Sequence, residues 1–391
     1  MHNSRRHFLR YSLASLALAA AGDRSYAQTV PVQKLADPPY RRIATEEAWI
    51  SQGVLDSYGK LLAAGANDEP GFNSMGRFIY SRGNDSPLVS ALSNVGADRI
   101  ADMDELGIDM QLLLLTAPGV QVFDAETATS LAIESNDELT EAIGAYPSRL
   151  AGLAAIAPQD PARAAKEIER GVNSLGLNGV IINSHTKGEY LDDEKYWEIF
   201  EAAEATDAAI YIHPRTPAPS MLQPYLERGL DQAILGFGAE VALHVVALIT
   251  SGVFDRFPAL KIVIGHAGEG LPYWLYRIDY MQRNVREASG RARKLEALPS
   301  DYLKSNIFIT SSGVAWEPAI LFAQQVLGVS QVMYAMDYPY QATVAEVAAS
   351  DHFDMDAADK KAFFQTNAER VFNLQTSQRP DLSIKNKKDG H

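Results

Sequence analysis

Five apolar runs in this chain end in a residue able to bind a metal or carry a proton: Glu46, His185, His213, His266 and Asp337. Glu46, His213 and Asp337 together offer two carboxylates and one imidazole. That donor set binds one divalent cation and leaves positions open for water and substrate. Singly, each has an alternative. Glu46 could pair with an arginine, His213 could anchor the loop that opens at Pro214, and Asp337 could cap the turn before Pro339.

His266 sits in KIVIGHAGEG (261–270), an apolar run followed by glycine, histidine and glycine. Glu269, three residues on, can accept one ring N–H, fix the tautomer and raise the imidazole pKa. This suits His266 to acid–base work, with the other three residues sufficing for a metal. Glu269 could instead be a solvated carboxylate near a helix start at Pro272. Arg99 and Arg277 could each clamp an anionic substrate by a bidentate contact, or be ordinary surface arginines. Tyr340 could hydrogen-bond a phenol or carboxylate, or pack at a rim. His185, after Asn183-Ser184, completes the candidate substrate contacts. Trp49, Phe72, Trp274 and Trp316 could wall an aromatic pocket or belong to the core. His244, His352 and His391 read as helix or tail residues without a role.

Residues so far apart need a fold that gathers strand ends. Apolar, β-rich segments occur at 42–45, 110–115, 153–156, 179–183, 208–213, 262–266, 307–310 and 332–337, mostly separated by helical patterns. Such alternation means parallel strands with right-handed crossovers. Eight units predict an α/β fold, a (β/α)8 TIM-type barrel, whose strand C-terminal ends share one mouth. A doubly wound open sheet is the alternative. The absence of GxGxxG after the first strand weakens a nucleotide-binding reading. Residues 51–97, rich in Gly, Asn and Ser, read as an irregular insertion or lid with one amphipathic piece at 54–64. The barrel is expected over 28–374, beginning with a polar linker, and 375–391 reads as a polar tail.

The 391 residues are 47% hydrophobic and 21% charged, with a net charge of −14. That balance disfavours nucleic acid and anionic membranes as partners. Without cysteine there is no disulfide, thiolate ligand or thiol nucleophile. Ser4-Arg5-Arg6-His7-Phe8-Leu9-Arg10, an apolar stretch at 11–21 and Ser25-Tyr26-Ala27 follow the order of a twin-arginine signal peptide over 1–27. Its use predicts a periplasmic protein, exported folded and with no stable membrane association afterwards; unused, it leaves the protein cytoplasmic.

The stretches IATEEAW (43–49), RIADMDELGID (99–109), INSHTKGEYLDD (182–193), YIHPRTPAPSM (211–221), GHAGEGLPYWLYRIDYM (265–281) and VMYAMDYPYQ (332–341) resemble the amidohydrolase superfamily. The resemblance is to its metal-dependent aromatic-acid decarboxylases, the aminocarboxymuconate-semialdehyde decarboxylase-like branch, and among these most to the 5-carboxyvanillate enzymes. It implies metal ligands Glu46, His213 and Asp337, proton handling by His266, Glu269 and Asp337, and substrate contacts from Arg99, Arg277 and Tyr340. Ala48 stands where many superfamily members place a second strand-one ligand, which speaks against a two-metal hydrolase. The expected activity is non-oxidative decarboxylation of a hydroxylated aromatic acid with one divalent ion, Mn, Zn or Mg, and no organic cofactor. Hydrolysis of a lactone or amide is the alternative; binding of aromatic acids without turnover is a third. A homodimer or homotetramer is expected.

Overall fold

The computed structural model describes residue 35, residues 37–65 and residues 68–374. The expected signal peptide and the polar tail lie outside the described residues. The strands are β1 (Ile43–Trp49), β2 (Met110–Leu115), β3 (Leu150–Gly152), β4 (Ala154–Ala155), β5 (Gly179–Ile182), β6 (Ala209–Ile212), β7 (Ile262–Ile264), β8 (Ile307–Thr310) and β9 (Val332–Met333). Every pairing is parallel, in the orders β1-β2-β3 and β4 to β9. β3 and β4 are halves of one strand interrupted at Leu153, whose N–H donates to the Leu113 carbonyl at 2.9 Å. Eight strand positions therefore form the expected (β/α)8 barrel. The ends meet where the Thr45 N–H donates to the Tyr334 carbonyl (3.1 Å) and the Ala48 N–H to the Tyr338 carbonyl (2.7 Å).

Every residue of β1 to β9 is buried. Strands covered by helices on one side and packed interior on the other carry apolar residues in unbroken runs. Runs such as Leu112–Leu115 and Ile262–Ile264 were legible for that reason. Among the described residues no helix is long and apolar enough to cross a membrane.

Three expectations need correction. Residues 51–97 are not irregular: they form helices Gln52–Ala64, Pro70–Ile79 and Pro87–Ser93. Pro70 and Pro87 stand at helix starts, where a missing N–H costs nothing. Gly71 is a close-packing site, since a Cβ there would lie 2.2 Å from Thr216 Oγ1 on the loop after β6. The first strand runs on to Trp49, so Glu46 lies within it and not at its end. Its register against β2 slips between Ala44 and Glu47. The loop after β6 contains a helix, Pro219–Leu226.

Candidate metal and proton-transfer site

Glu46 is 1% exposed, and neighbouring strands determine how it sits. Its Oε2 accepts hydrogen bonds from the Tyr211 hydroxyl on β6 and from Thr310 Oγ1 on β8 (3.0 Å). Gly265 lets the carboxylate approach the end of β7, because a Cβ at 265 would lie 2.4 Å from Oε2. The other oxygen, Oε1, is buried without a hydrogen-bond partner among the described residues. It faces His213 Nε2 at 3.3 Å and His266 Nε2 at 3.6 Å. A buried acceptor left unpaired is costly unless something binds it.

His213 follows β6. Its Nδ1–H donates to the Pro214 carbonyl at 2.8 Å, which leaves the Nε2 lone pair facing Glu46. Burial pushes its pKa down to about 4, against the pull of Glu46, so the ring is neutral near pH 7. A neutral imidazole oriented through its second nitrogen is what metal ligation requires.

Asp337 follows β9 with a left-handed backbone, φ +79°. Burial pushes its carboxyl well above the usual range, and Glu46 and Glu269 add to the rise while His266 opposes it. One donor atom from each of Glu46, His213 and Asp337 lies within 4.8 Å of the others. Unpaired Oε1, the neutral Nε2 and a carboxyl held up by its neighbours all fit a cation, and the nitrogen and oxygen donors suit Mn, Zn or Mg.

His266 and Glu269 lie on one left-handed turn. His266, Ala267, Gly268, Glu269 and Gly270 all have φ between 53° and 81°. A left-handed backbone costs roughly 1–2 kcal/mol for each non-glycine residue, and such strain gathers at working sites. The turn brings residues i and i+3 together, as 3₁₀ geometry does. His266 Nδ1–H donates to Glu269 Oε1 at 2.7 Å. Burial acts to lower the His266 pKa, but Glu269, Glu46 and Asp337 outweigh it and hold it up to about 10.

Tyr340 stands 37% exposed, with its hydroxyl 2.6 Å from Thr116 Oγ1. Arg277 is exposed on helix Leu271–Met281, which leads away from the His266 turn. Two expected substrate contacts are placed elsewhere. Arg99 is fully buried and donates to the carbonyls of Asn94, Ala48 and Ala91 and to Gln111 Oε1. It holds the first strand and not a ligand. His185 is also fully buried: Nε2–H donates to the Thr216 carbonyl (3.1 Å) and Nδ1 accepts from the Gly188 N–H (3.1 Å). Burial, helped by Arg215, pushes its pKa down to about 2. Both ring nitrogens are spent on loop backbone. Trp49 and Phe72 belong to the core, while Trp274 and Trp316 are 48% and 65% exposed.

Several residues at the site escaped the sequence reading. Tyr211 and Thr310 hold Glu46, yet both look like ordinary strand residues. Glu47, fully buried, accepts the N–H groups of Met336 and Tyr338 (3.0 Å each). Burial pushes its pKa up to about 8, against those two N–H bonds and Arg99. His244, given no role from sequence, is buried beside Ser184 and Glu240. Its Nε2 accepts the Leu191 N–H (3.1 Å), so Nδ1–H donates to Ser184 Oγ (3.2 Å). Ser184 in turn donates to Glu240 Oε1 (3.1 Å). That polarity is opposite to the one that would activate a serine nucleophile; the cluster ties the loops after β5 and β6 together.

A metal cradle and a carboxylate-held histidine at the mouth of a (β/α)8 barrel define a class, and comparison with known proteins gives the same one. The chain belongs to the Amidohydrolase family, whose profile matches residues 93–374. It is similar to 5-carboxyvanillate decarboxylase from Novosphingobium aromaticivorans. A structure of that enzyme with manganese and 3-methoxy-4-hydroxy-5-nitrobenzoic acid is 49% identical with a TM-score of 0.82, over 86% of this chain and 97% of that one. The Sphingomonas paucimobilis 5-carboxyvanillate decarboxylase is 44% identical with a TM-score of 0.82, over 86% of this chain and 100% of that one. Gamma-resorcylate decarboxylase from a Polaromonas species is 34% identical over 73% of this chain and 90% of its own length.

Proposed function

We propose that this protein is a metal-dependent carboxy-lyase that releases CO2 from a hydroxylated aromatic acid resembling 5-carboxyvanillate or resorcylate. The observation that carries the proposal is the pairing of unpartnered Glu46 Oε1 with neutral His213 Nε2 and Asp337, in a chain so similar to manganese-bound aromatic-acid decarboxylases. Glu46, His213 and Asp337 would hold one divalent ion. When bound, that ion supplies Lewis acidity and a template for a phenol and carboxylate pair. Manganese or zinc fits best, with magnesium third, and the chemistry calls for no organic cofactor.

The protein's own groups handle the proton. Asp337, beside Glu46 and His213, would pass a proton to the ring carbon that bears the carboxylate. That carbon becomes tetrahedral, its bond to the carboxylate breaks, and CO2 leaves. The electron pair returns to the ring and aromaticity is restored. One proton enters for each CO2 released. The imidazolium of His266, held by Glu269, resupplies Asp337. Arg277 and Tyr340 are proposed to contact the substrate's polar groups.

The test is incubation of manganese-loaded protein with a panel of hydroxybenzoates, carboxyvanillates and lactones, followed by mass spectrometry. CO2 together with the decarboxylated phenol supports the proposal. Ring-opened product would make the protein a hydrolase, and saturable binding without turnover a receptor.

We further propose that the chain is exported to the periplasm by the twin-arginine route and self-associates as a dimer or tetramer. The arginine pair, apolar stretch and Ser25-Tyr26-Ala27 that follow one another in the sequence support the first, and cell fractionation with N-terminal sequencing tests it; an intact cytoplasmic chain would refute it. Tyr273, Trp274, Tyr276 and Tyr280 support the second: they are 48% to 83% exposed on one helix, an apolar surface monomers rarely carry. A monomeric mass by light scattering would refute it.

A further inference from the structure

Glu46 and Glu47 are consecutive and both buried, yet they face different tasks. Successive residues of a strand point to opposite sides. Here the register slip between Ala44 and Glu47 reshapes the strand locally. Glu46 turns one oxygen toward His213, while Glu47 reaches the loop after β9. Its Oε1 accepts the Met336 N–H and its Oε2 the Tyr338 N–H, both at 3.0 Å. These amides flank Asp337, whose φ of +79° is one that an aspartate does not hold cheaply.

The same loop is gripped from its other side. The Ala48 N–H donates to the Tyr338 carbonyl at 2.7 Å. The Tyr338 hydroxyl donates to Asp102 Oδ2 at 2.6 Å, and its ring lies 4.8 Å from the Arg99 guanidinium carbon. Arg99 returns to β1 through the Ala48 carbonyl at 2.8 Å. Thus β1 carries one member of the metal cradle in Glu46 and, one residue later, the clamp on another. Only a two-oxygen acceptor reaches both amides.

We infer that Glu47 is a positioning residue: by bridging the amides on either side of Asp337, it holds that carboxylate in the left-handed conformation that brings it to Glu46 and His213. The inference rests on the proposed metal site, and the bridge touches neither ion nor substrate. Glu47→Gln keeps the size but turns an NH2 toward one of the two amides, so that one bond is lost.

Manganese affinity is read from the electron paramagnetic resonance signal of free Mn(II), which needs no turnover. Loss of an outer partner of a metal site weakens metal binding or activity by roughly 10–100-fold. In Glu47→Gln the Mn(II) Kd is expected to rise, and kcat to fall, by that order, with KM unchanged. A purely structural role would lower the melting temperature and leave the Kd and kcat of the folded protein as in wild type; that result would overturn the inference. Should Glu47→Gln not fold, Glu47→Asp, too short to span both amides, is measured in the same way, and unchanged Mn(II) affinity there is equally fatal. Wild-type protein that binds manganese but releases no CO2 refutes the proposed activity alone.

Discussion

Replacing Glu269 with Gln isolates the electrostatics of the His266 turn. The substitution preserves shape and removes one negative charge 2.7 Å from His266 Nδ1. In the wild type the His266 pKa stands near 10 instead of 6.5, and Glu269 is the largest influence raising it. A hydrogen bond to a charged group is worth about 1.5–3 kcal/mol, and one pKa unit is about 1.4 kcal/mol. The variant should therefore drop the His266 pKa by about one to two units. The linkage has a definite sign. A histidine whose folded pKa lies above its unfolded value adds stability that is complete below about 6.5 and lost as pH rises toward about 10. In Glu269→Gln that loss should be complete at a lower pH. The assays are NMR titration of the His266 ring and thermal melts between pH 6 and 10, on chelator-treated protein because a bound cation would depress the same pKa. An unchanged His266 pKa in Glu269→Gln would refute the pairing.

Asp337→Asn should abolish CO2 release, since the amide cannot deliver the proton, while much of the manganese stays bound; near-wild-type turnover would rule out the proton-donor role. His266→Ala should keep manganese, measured by plasma emission spectrometry, and lose turnover, because Glu46, His213 and Asp337 remain. Loss of metal instead would make His266 a ligand. Arg277→Ala should raise KM for the aromatic acid by about 10–100-fold through loss of a charged hydrogen bond, and an unchanged KM would remove Arg277 from the substrate contacts.

Burial set the limits of what could be read in advance. Arg99 and His185 matched expected substrate contacts in type and place, but burial turned their polar atoms to the protein's own backbone. Nothing in a linear sequence separates an arginine that clamps a ligand from one that clamps Ala48. The insertion was misread for a related reason. The Gly, Asn and Ser content of 51–97 suggested a loop, but Gly71 lies in helix Pro70–Ile79 and packs against Thr216, a partner far away in the chain.

By itself the sequence predicted the barrel and pointed to Glu46, His213 and Asp337 as candidate cradle residues. Unbroken apolar runs are what buried parallel strands demand, and Glu46, His213 and Asp337 needed only strand order to be placed near one mouth. Tertiary structure alone decided how those residues are held. Tyr211, Thr310 and Gly265 leave one oxygen of Glu46 free, Glu47 grips the loop of Asp337, and a left-handed turn sets His266 on Glu269. These arrangements depend on which atoms of remote strands meet and on φ angles that no spacing reveals. The chemistry was therefore legible as residue types, while its geometry emerged only on folding.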